Sequence, residues 1–218
     1  MLQSFRALTL LVLFVFAGCA KPTIYTKAEF SDATKYHKTV AVLPFVVNID
    51  SKNQSREFTI EVAKKAERDE AYLFQQQIYA QFLKQHAKGK YTVDFQDTEL
   101  SNALLGKANI NYDNIANYTK ADIARQLGVD AVISGTIKRS KPMSGAGAVV
   151  MGLLGGFWGS TNRVDVTLNL HDGKNSDLLW KYDHEASGSI GSSSEGLAKS
   201  LMQGISKDFP YKKDKDKP

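Results

Sequence analysis

The chain has 218 residues, of which 43% are hydrophobic and 23% charged, and its formal net charge is +5. That length and mixture support one domain with a buried core and exclude a low-complexity chain. One cysteine in the whole sequence excludes an intramolecular disulfide and a thiolate zinc site, and the mild positive charge, with no basic stripe interleaved with aromatics, gives nucleic-acid binding no support.

Arg6 is the only charge ahead of residues 7–16, a predominantly apolar run that leads into Ala17-Gly18-Cys19. This predicts a secretory signal peptide over residues 1–18. Ten apolar residues fall well short of the roughly 20 that a helix needs to cross a bilayer core, so the run is not expected to be a permanent span. Small residues before the cysteine, whose thiolate is nucleophilic enough to take a diacylglyceryl group, predict lipidation at Cys19. Phe16-Ala17-Gly18-Cys19 resembles the lipobox of bacterial lipoproteins, with Phe16 where an aliphatic residue is usual. Acyl chains contribute about 0.8 kcal/mol per buried CH₂, enough for durable anchoring when two or three are attached. Ala20-Lys21-Pro22-Thr23 lacks the aspartate that serves as an inner-membrane retention signal, so the expected location is the outer membrane, with the body facing the periplasm. Removal of residues 1–18 takes away only Arg6 and leaves a formal charge of +4. Residues 19–38, of mixed polarity and no clear period, predict a lipidated tether.

Residues 39–47 are almost continuously apolar and rich in β-branched side chains, which predicts a strand covered on both faces, with Pro44 ending the ladder or sitting on a bulge. A long helix follows, with Ser55 as N-cap, Phe74, Ile78 and Phe82 on one side joined by Leu83, and Gly89 as its stop. Its acidic residues, such as Glu61 four before Lys65, read as i,i+4 partners. A short strand is expected over 91–95 and a small helix over 101–107. A second helix has capping-box spacing at Thr119 and a glycine stop at Gly128. Residues 129–137 predict a third strand. Val164, Val166, Leu168 and Leu170 alternate as a half-buried strand, and Asp172-Gly173 turns it toward residues 178–182 in a hairpin. Leu197, Leu201 and Ile205 mark a last helix over 194–207. The expected fold class is α/β (α+β), a mixed β-sheet packed with helices, in one domain over residues 39–208, and residues 209–218 read as a charged disordered tail.

Several of these features recur together in order. Val40-Ala41-Val42-Leu43-Pro44-Phe45 resembles the first strand of TolB amino-terminal-type domains. The segment from Ala124 through Leu127-Gly128-Val129-Asp130-Ala131 to Gly135 resembles their helix-to-strand passage, and Asp177-Leu178-Leu179-Trp180 their strand ending in tryptophan. Envelope lipoproteins with such domains include the curli-export channel family, the Pel-export lipoprotein and activators of penicillin-binding proteins. The resemblance implies a TolB amino-terminal-domain-like fold and a non-enzymatic accessory or scaffold role in envelope assembly or export, often as an oligomer. Its alternative is a monomeric regulatory lipoprotein that binds and activates a cell-wall enzyme. The implied partners are membrane lipid, envelope proteins or further copies of the chain. This chain has one apolar insertion where curli channels carry two membrane hairpins, which argues against a full pore.

That insertion, residues 142–160, is uncharged, and at its centre stand Ala148, Gly152, Leu153, Leu154, Gly156, Phe157 and Trp158. If helical, Ala148, Gly152 and Gly156 share one face and permit close backbone contact. Eleven residues at 1.5 Å each span only about 16 Å, too little for a bilayer. The segment therefore dips into a leaflet, lines a subunit contact, or packs on its own sheet as a crossover.

No catalytic constellation emerges. His37, His86, His171 and His184 lack metal-ligand spacing and read as surface or turn residues. Gly191-Ser192-Ser193-Ser194-Glu195-Gly196 misses the nucleophile-elbow register, and Ser193 or Ser194 reads as an N-cap. Apart from covalent lipid on Cys19, no cofactor is expected.

Overall fold

The structure is a computed structural model that describes residues 22–49, 59–140, 163–187 and 193–213. Regular structure starts earlier than the sequence predicts. Inside the expected tether lie a strand, β1 (Thr23–Thr26), and a helix, α1 (Phe30–Thr34). The cause is distant: β1 takes its backbone partners from β7 (Leu178–Ser187), with Thr23 opposite Asp183 and Thr26 opposite Trp180. Phe30 is likewise buried edge-on against Tyr211.

The apolar run over 39–47 makes two strands, β2 (Thr39–Val42) and β3 (Val46–Ile49), both parallel to β5 (Ala131–Ser140). Val42 stands opposite Ile133 and Val46 opposite Thr136, so three residues of one strand face two of the other. This is a bulge, and Pro44, which has no N–H for a ladder, sits at its middle. The bulge lays Phe45 over Gly135, where an added Cβ would lie 2.4 Å from the Thr167 carbonyl oxygen and 2.1 Å from the Phe45 ring. At the same place the buried Gln75 amide donates to the Val42 carbonyl (2.7 Å). On the outer edge of β3, Tyr112 Oη accepts from Val47 N and a Glu67 carboxylate oxygen from Ile49 N, so side chains close that edge.

Helix α2 (Ile60–His86) buries Phe74, Ile78 and Phe82 completely. Its N-cap is Thr59, whose hydroxyl accepts from Val62 N, and not Ser55. Leu83 is exposed because it lies off the four-residue stripe, and Lys65 pairs with Asp69 while Glu61 turns back to Thr59. Gly89 has φ +70°, the left-handed stop expected of it. Strand β4 (Asp94–Phe95) pairs with β2, and α3 (Thr98–Lys107) is capped by Asp97. A 3₁₀ turn (Ile115–Asn117) leads to α4 (Lys120–Leu127), where Thr119 accepts from Asp122 N and Gly128 closes the helix at φ +68°, as its sequence predicts.

Strands β5, β6 (Arg163–Asp172) and β7 form an antiparallel meander, with Val164, Val166, Leu168 and Leu170 buried in alternation. Helix α5 (Ser194–Ile205), capped by Ser193, buries Leu197, Leu201 and Ile205. The sheet order is β1-β7-β6-β5-β2-β4, with β3 beside β5. Helices α2 and α5 cover one face over the larger core. Helices α3 and α4 cover the other face mainly over β2 and β5, around Ala41, Leu43 and Val132, with α4 also reaching β6. A mixed sheet packed with helices is thus the fold class.

The expected disordered tail is built in as far as Lys213. Phe209 packs on Phe82, Tyr91 and Trp180 at centroid distances of 5.0, 5.1 and 5.6 Å, and Tyr211 is 3% exposed. Lys213 N donates to the Lys90 carbonyl.

Candidate functional site

The strand register sorts the molecule into two ends. β3 and β5 finish at one end, with Ile49 and Ser140, and there β6 begins at Arg163, opposite both Ser140 and Ser187. The N-termini of α2 and α5 lie at the same end, because each follows a strand that finishes there. β1 runs antiparallel to β7, so the chain before Thr23 approaches from this end as well; Pro22 and Thr23 border a small hollow with Asp165, His184 and Glu185. Cys19 stands four residues before Thr23, a reach of at most about 14 Å. The two residues that flank the apolar insertion and the approach of the chain toward Cys19 therefore share one end of the sheet.

At that end lies a buried ionic cluster that the sequence reading passed over. Arg139 Nη2 is 2.5 Å from Glu70 Oε1, with the two side chains 3% and 5% exposed, and Ser194 Oγ donates to the same carboxylate oxygen at 2.9 Å. The carboxylate sits at the first residue of α5, where the helix dipole favours negative charge. Three elements, α2, β5 and α5, are thereby joined one residue below Ser140. A signal for the cluster existed. Glu70 stands one helical turn before Phe74 on the buried stripe, and Arg139 continues the inward positions of Ile133, Gly135 and Ile137.

The opposite end holds a second polar cluster. His37 is buried, not a surface residue, with Tyr211 Oη 2.5 Å from its Nδ1 and the Asp172 carboxylate 3.6 Å from its Nε2. Burial lowers the His37 pKa below the ordinary imidazole value, against the opposing pull of Asp172 and Asp130. Burial disfavours ionisation of Asp130, but the backbone N–H groups of Lys38 and Thr39 outweigh it and hold the carboxyl below its usual range. Desolvation pushes the Tyr211 phenol far up, so it stays a neutral hydroxyl. This cluster fastens the segment after α1 and the end of the chain to the sheet. Among the described residues no group of three or more histidine, cysteine or acidic side chains is placed to hold a metal ion, and no helix is long and apolar enough to cross a membrane.

Cys19 and the insertion residues Ala148, Gly152, Leu153, Leu154, Gly156, Phe157 and Trp158 lie outside the described residues. What the structure adds is the place of their neighbours in the fold.

No protein-family model matches the sequence, and no curated protein matches it. Among solved structures, the chain is similar to the lipoprotein GNA1162 from Neisseria meningitidis, at 13% identity over 79% of this chain and 97% of that one, with a TM-score of 0.45. It is similar to a PelC dodecamer from Paraburkholderia phytofirmans at 16% identity, over 86% of this chain and 97% of that one, with a TM-score of 0.39. It also resembles the LpoB C-terminal domain from Salmonella enterica at 9% identity, over 72% and 92%, with a TM-score of 0.35.

Proposed function

We propose that this protein is a non-enzymatic lipoprotein of the bacterial envelope, anchored in the outer membrane through Cys19 with its body in the periplasm. It acts as an accessory or scaffold in envelope assembly or export, and the insertion around Leu153, Leu154, Phe157 and Trp158 touches the lipid leaflet or a neighbouring copy. One observation carries this reading. The strand register puts Ser140 and Arg163, which flank the insertion, at the end of the sheet from which β1 is entered. An anchor within about 14 Å of Thr23 holds that end toward the bilayer, so an uncharged segment leaving it meets lipid or the flank of another anchored copy before it meets bulk water. The buried Glu70–Arg139 pair gives that segment a fixed root.

The test is a Leu153→Asp/Leu154→Asp variant of the full chain. Circular dichroism melting should stay within about 2 °C of the parent, while vesicle flotation of the unlipidated protein or oligomer size by light scattering falls. If the segment packs on its own sheet, two unpaired carboxylates in a core would destabilise the domain by several kcal/mol. A cooperative loss of folding with no change in flotation or size would overturn the proposal.

A further inference from the structure

Opposite the end at which the chain enters β1, the carboxyl ends of α2 and α5 meet over a cleft of about 620 Å³. Among the described residues, five lysines line it, Lys88, Lys90, Lys207, Lys212 and Lys213, together with Gly89 and Ser206. All five are exposed, and none is ion-paired to another described residue; the lysines that form such pairs are Lys27, Lys65, Lys181 and Lys199. Complementing helix ends does not require so many. Each helix carboxyl end carries roughly half a negative charge, so the two together offset about one lysine. Lys212 already fills that role by donating to the Lys207 carbonyl. Even with Asp208 counted, the described residues leave a surplus of about three positive charges at the cleft.

A second hollow of about 250 Å³ continues the first between α2 and α5, sharing Lys88 and Ser206 with it. Its polar lining is different in kind: Gln81, Gln85 and Gln203 add amides, and Lys84 and Lys199 add ammonium groups, the latter paired with Glu195.

We propose that the joined clefts bind an anionic glycan, whose carboxylate or phosphate groups meet the lysines while its hydroxyls meet the side-chain amides of Gln81 and Gln203. Lysines are point charges on flexible stems, suited to anions spaced along a chain and not to the bidentate capture of one phosphate, for which arginine is the better fork. Among the described residues no aromatic ring lines either hollow, so single-stranded nucleic acid finds no stacking platform there. A protein partner would need an apolar anchor pocket, and among the described residues the one apolar side chain in the lining, Met202, is 2% exposed. The groove lies at the far end from Thr23, which places it away from an anchoring bilayer. The binding itself does not depend on Cys19.

The experiment measures binding of the full chain in detergent to labelled oligogalacturonate and to a phosphomannan, with dextran, polyglutamate and phosphatidylglycerol vesicles as further arms. The expected result is saturable binding of one or both anionic glycans that weakens as salt rises, none of dextran, and at least tenfold weaker binding of polyglutamate and vesicles. Lys88→Glu/Lys212→Glu should weaken glycan binding at least tenfold. The milder Lys88→Gln/Lys212→Gln pair covers the case in which the charge reversal disturbs folding. Gln203→Leu should weaken glycan binding threefold or more and leave polyglutamate binding unchanged. Equal affinity for polyglutamate, binding to vesicles alone, or glycan binding indifferent to these substitutions in folded protein would each overturn the proposal.

Discussion

Replacing Arg139 by methionine would leave the Glu70 carboxylate 5% exposed beside α5 without its guanidinium. A buried charge stripped of its partner destabilises a protein by about 3–5 kcal/mol, because the desolvation of the remaining ion is no longer compensated. For a chain of this size each kcal/mol moves the melting temperature by roughly 2–4 °C, so Arg139→Met should fall by some 6–20 °C. Glu70→Leu should also destabilise, because the Arg139 guanidinium loses the buried carboxylate 2.5 Å from it. The double variant removes both charges and should recover most of the loss, short of a full return because Ser194 Oγ forfeits the carboxylate it donates to at 2.9 Å. Arg68, paired with Asp113 at 2.8 Å but with side chains 46% and 62% exposed, provides the contrast, and Arg68→Met should cost under about 1 kcal/mol. Urea titrations of the four variants beside the parent yield the coupling energy. Single losses below 1 kcal/mol that simply add in the double variant would refute a buried, mutually dependent pair.

Gly135→Ala would place a methyl against the Thr167 carbonyl and the Phe45 ring, so the bulge must shift; the expected loss is about 3 kcal/mol, read as a lower urea midpoint, and an unchanged midpoint would mean that Phe45 does not sit there. Thr119→Ala removes the hydroxyl that accepts from Asp122 N at 3.1 Å and should cost about 1 kcal/mol by thermal melting, whereas no loss would place the start of α4 elsewhere. Burial holds His37, His171 and His184 below the ordinary imidazole pKa, so between the folded values and about pH 6.5 the unfolded chain binds more protons than the native one. Their contribution to stability is full above pH 6.5 and is lost as pH falls below it, by up to about 1.4 kcal/mol per pH unit for each histidine. Urea midpoints at pH 7.5 and 5.5 should therefore fall on acidification, and a flat or rising profile would contradict the burial of these rings.

What was legible in the sequence followed from local period and local capping. Phe74, Ile78 and Phe82, or Leu197, Leu201 and Ile205, recur at the helical spacing, and the Thr119 and Gly128 signals act within one helix. The elements that escaped depend on partners far along the chain. Nothing in Thr23-Ile24-Tyr25-Thr26, all four exposed, announces a strand until β7 offers its edge, and His37 gains its burial from Tyr211, 174 positions away. Phe209 and Tyr211 adjoin a run of alternating charges that reads as solvated, yet their rings fill the bottom of the core. At the candidate site, Cys19 and the insertion stand out by composition, since a lone cysteine after small residues and an uncharged stretch need no tertiary knowledge. Glu70 and Arg139 were hidden because each looks, in its own segment, like an ordinary surface charge.

The central claim, that the protein is held to a membrane through Cys19, is tested most directly by mass spectrometry of the amino-terminal peptide released from the membrane fraction of expressing cells. The account predicts a peptide beginning at Cys19 that carries the mass of a diacylglyceryl group, absent from a Cys19→Ser variant that appears in the soluble envelope fraction instead. An unmodified Cys19 in membrane-bound protein, or a Ser variant that stays with the membrane, would contradict it.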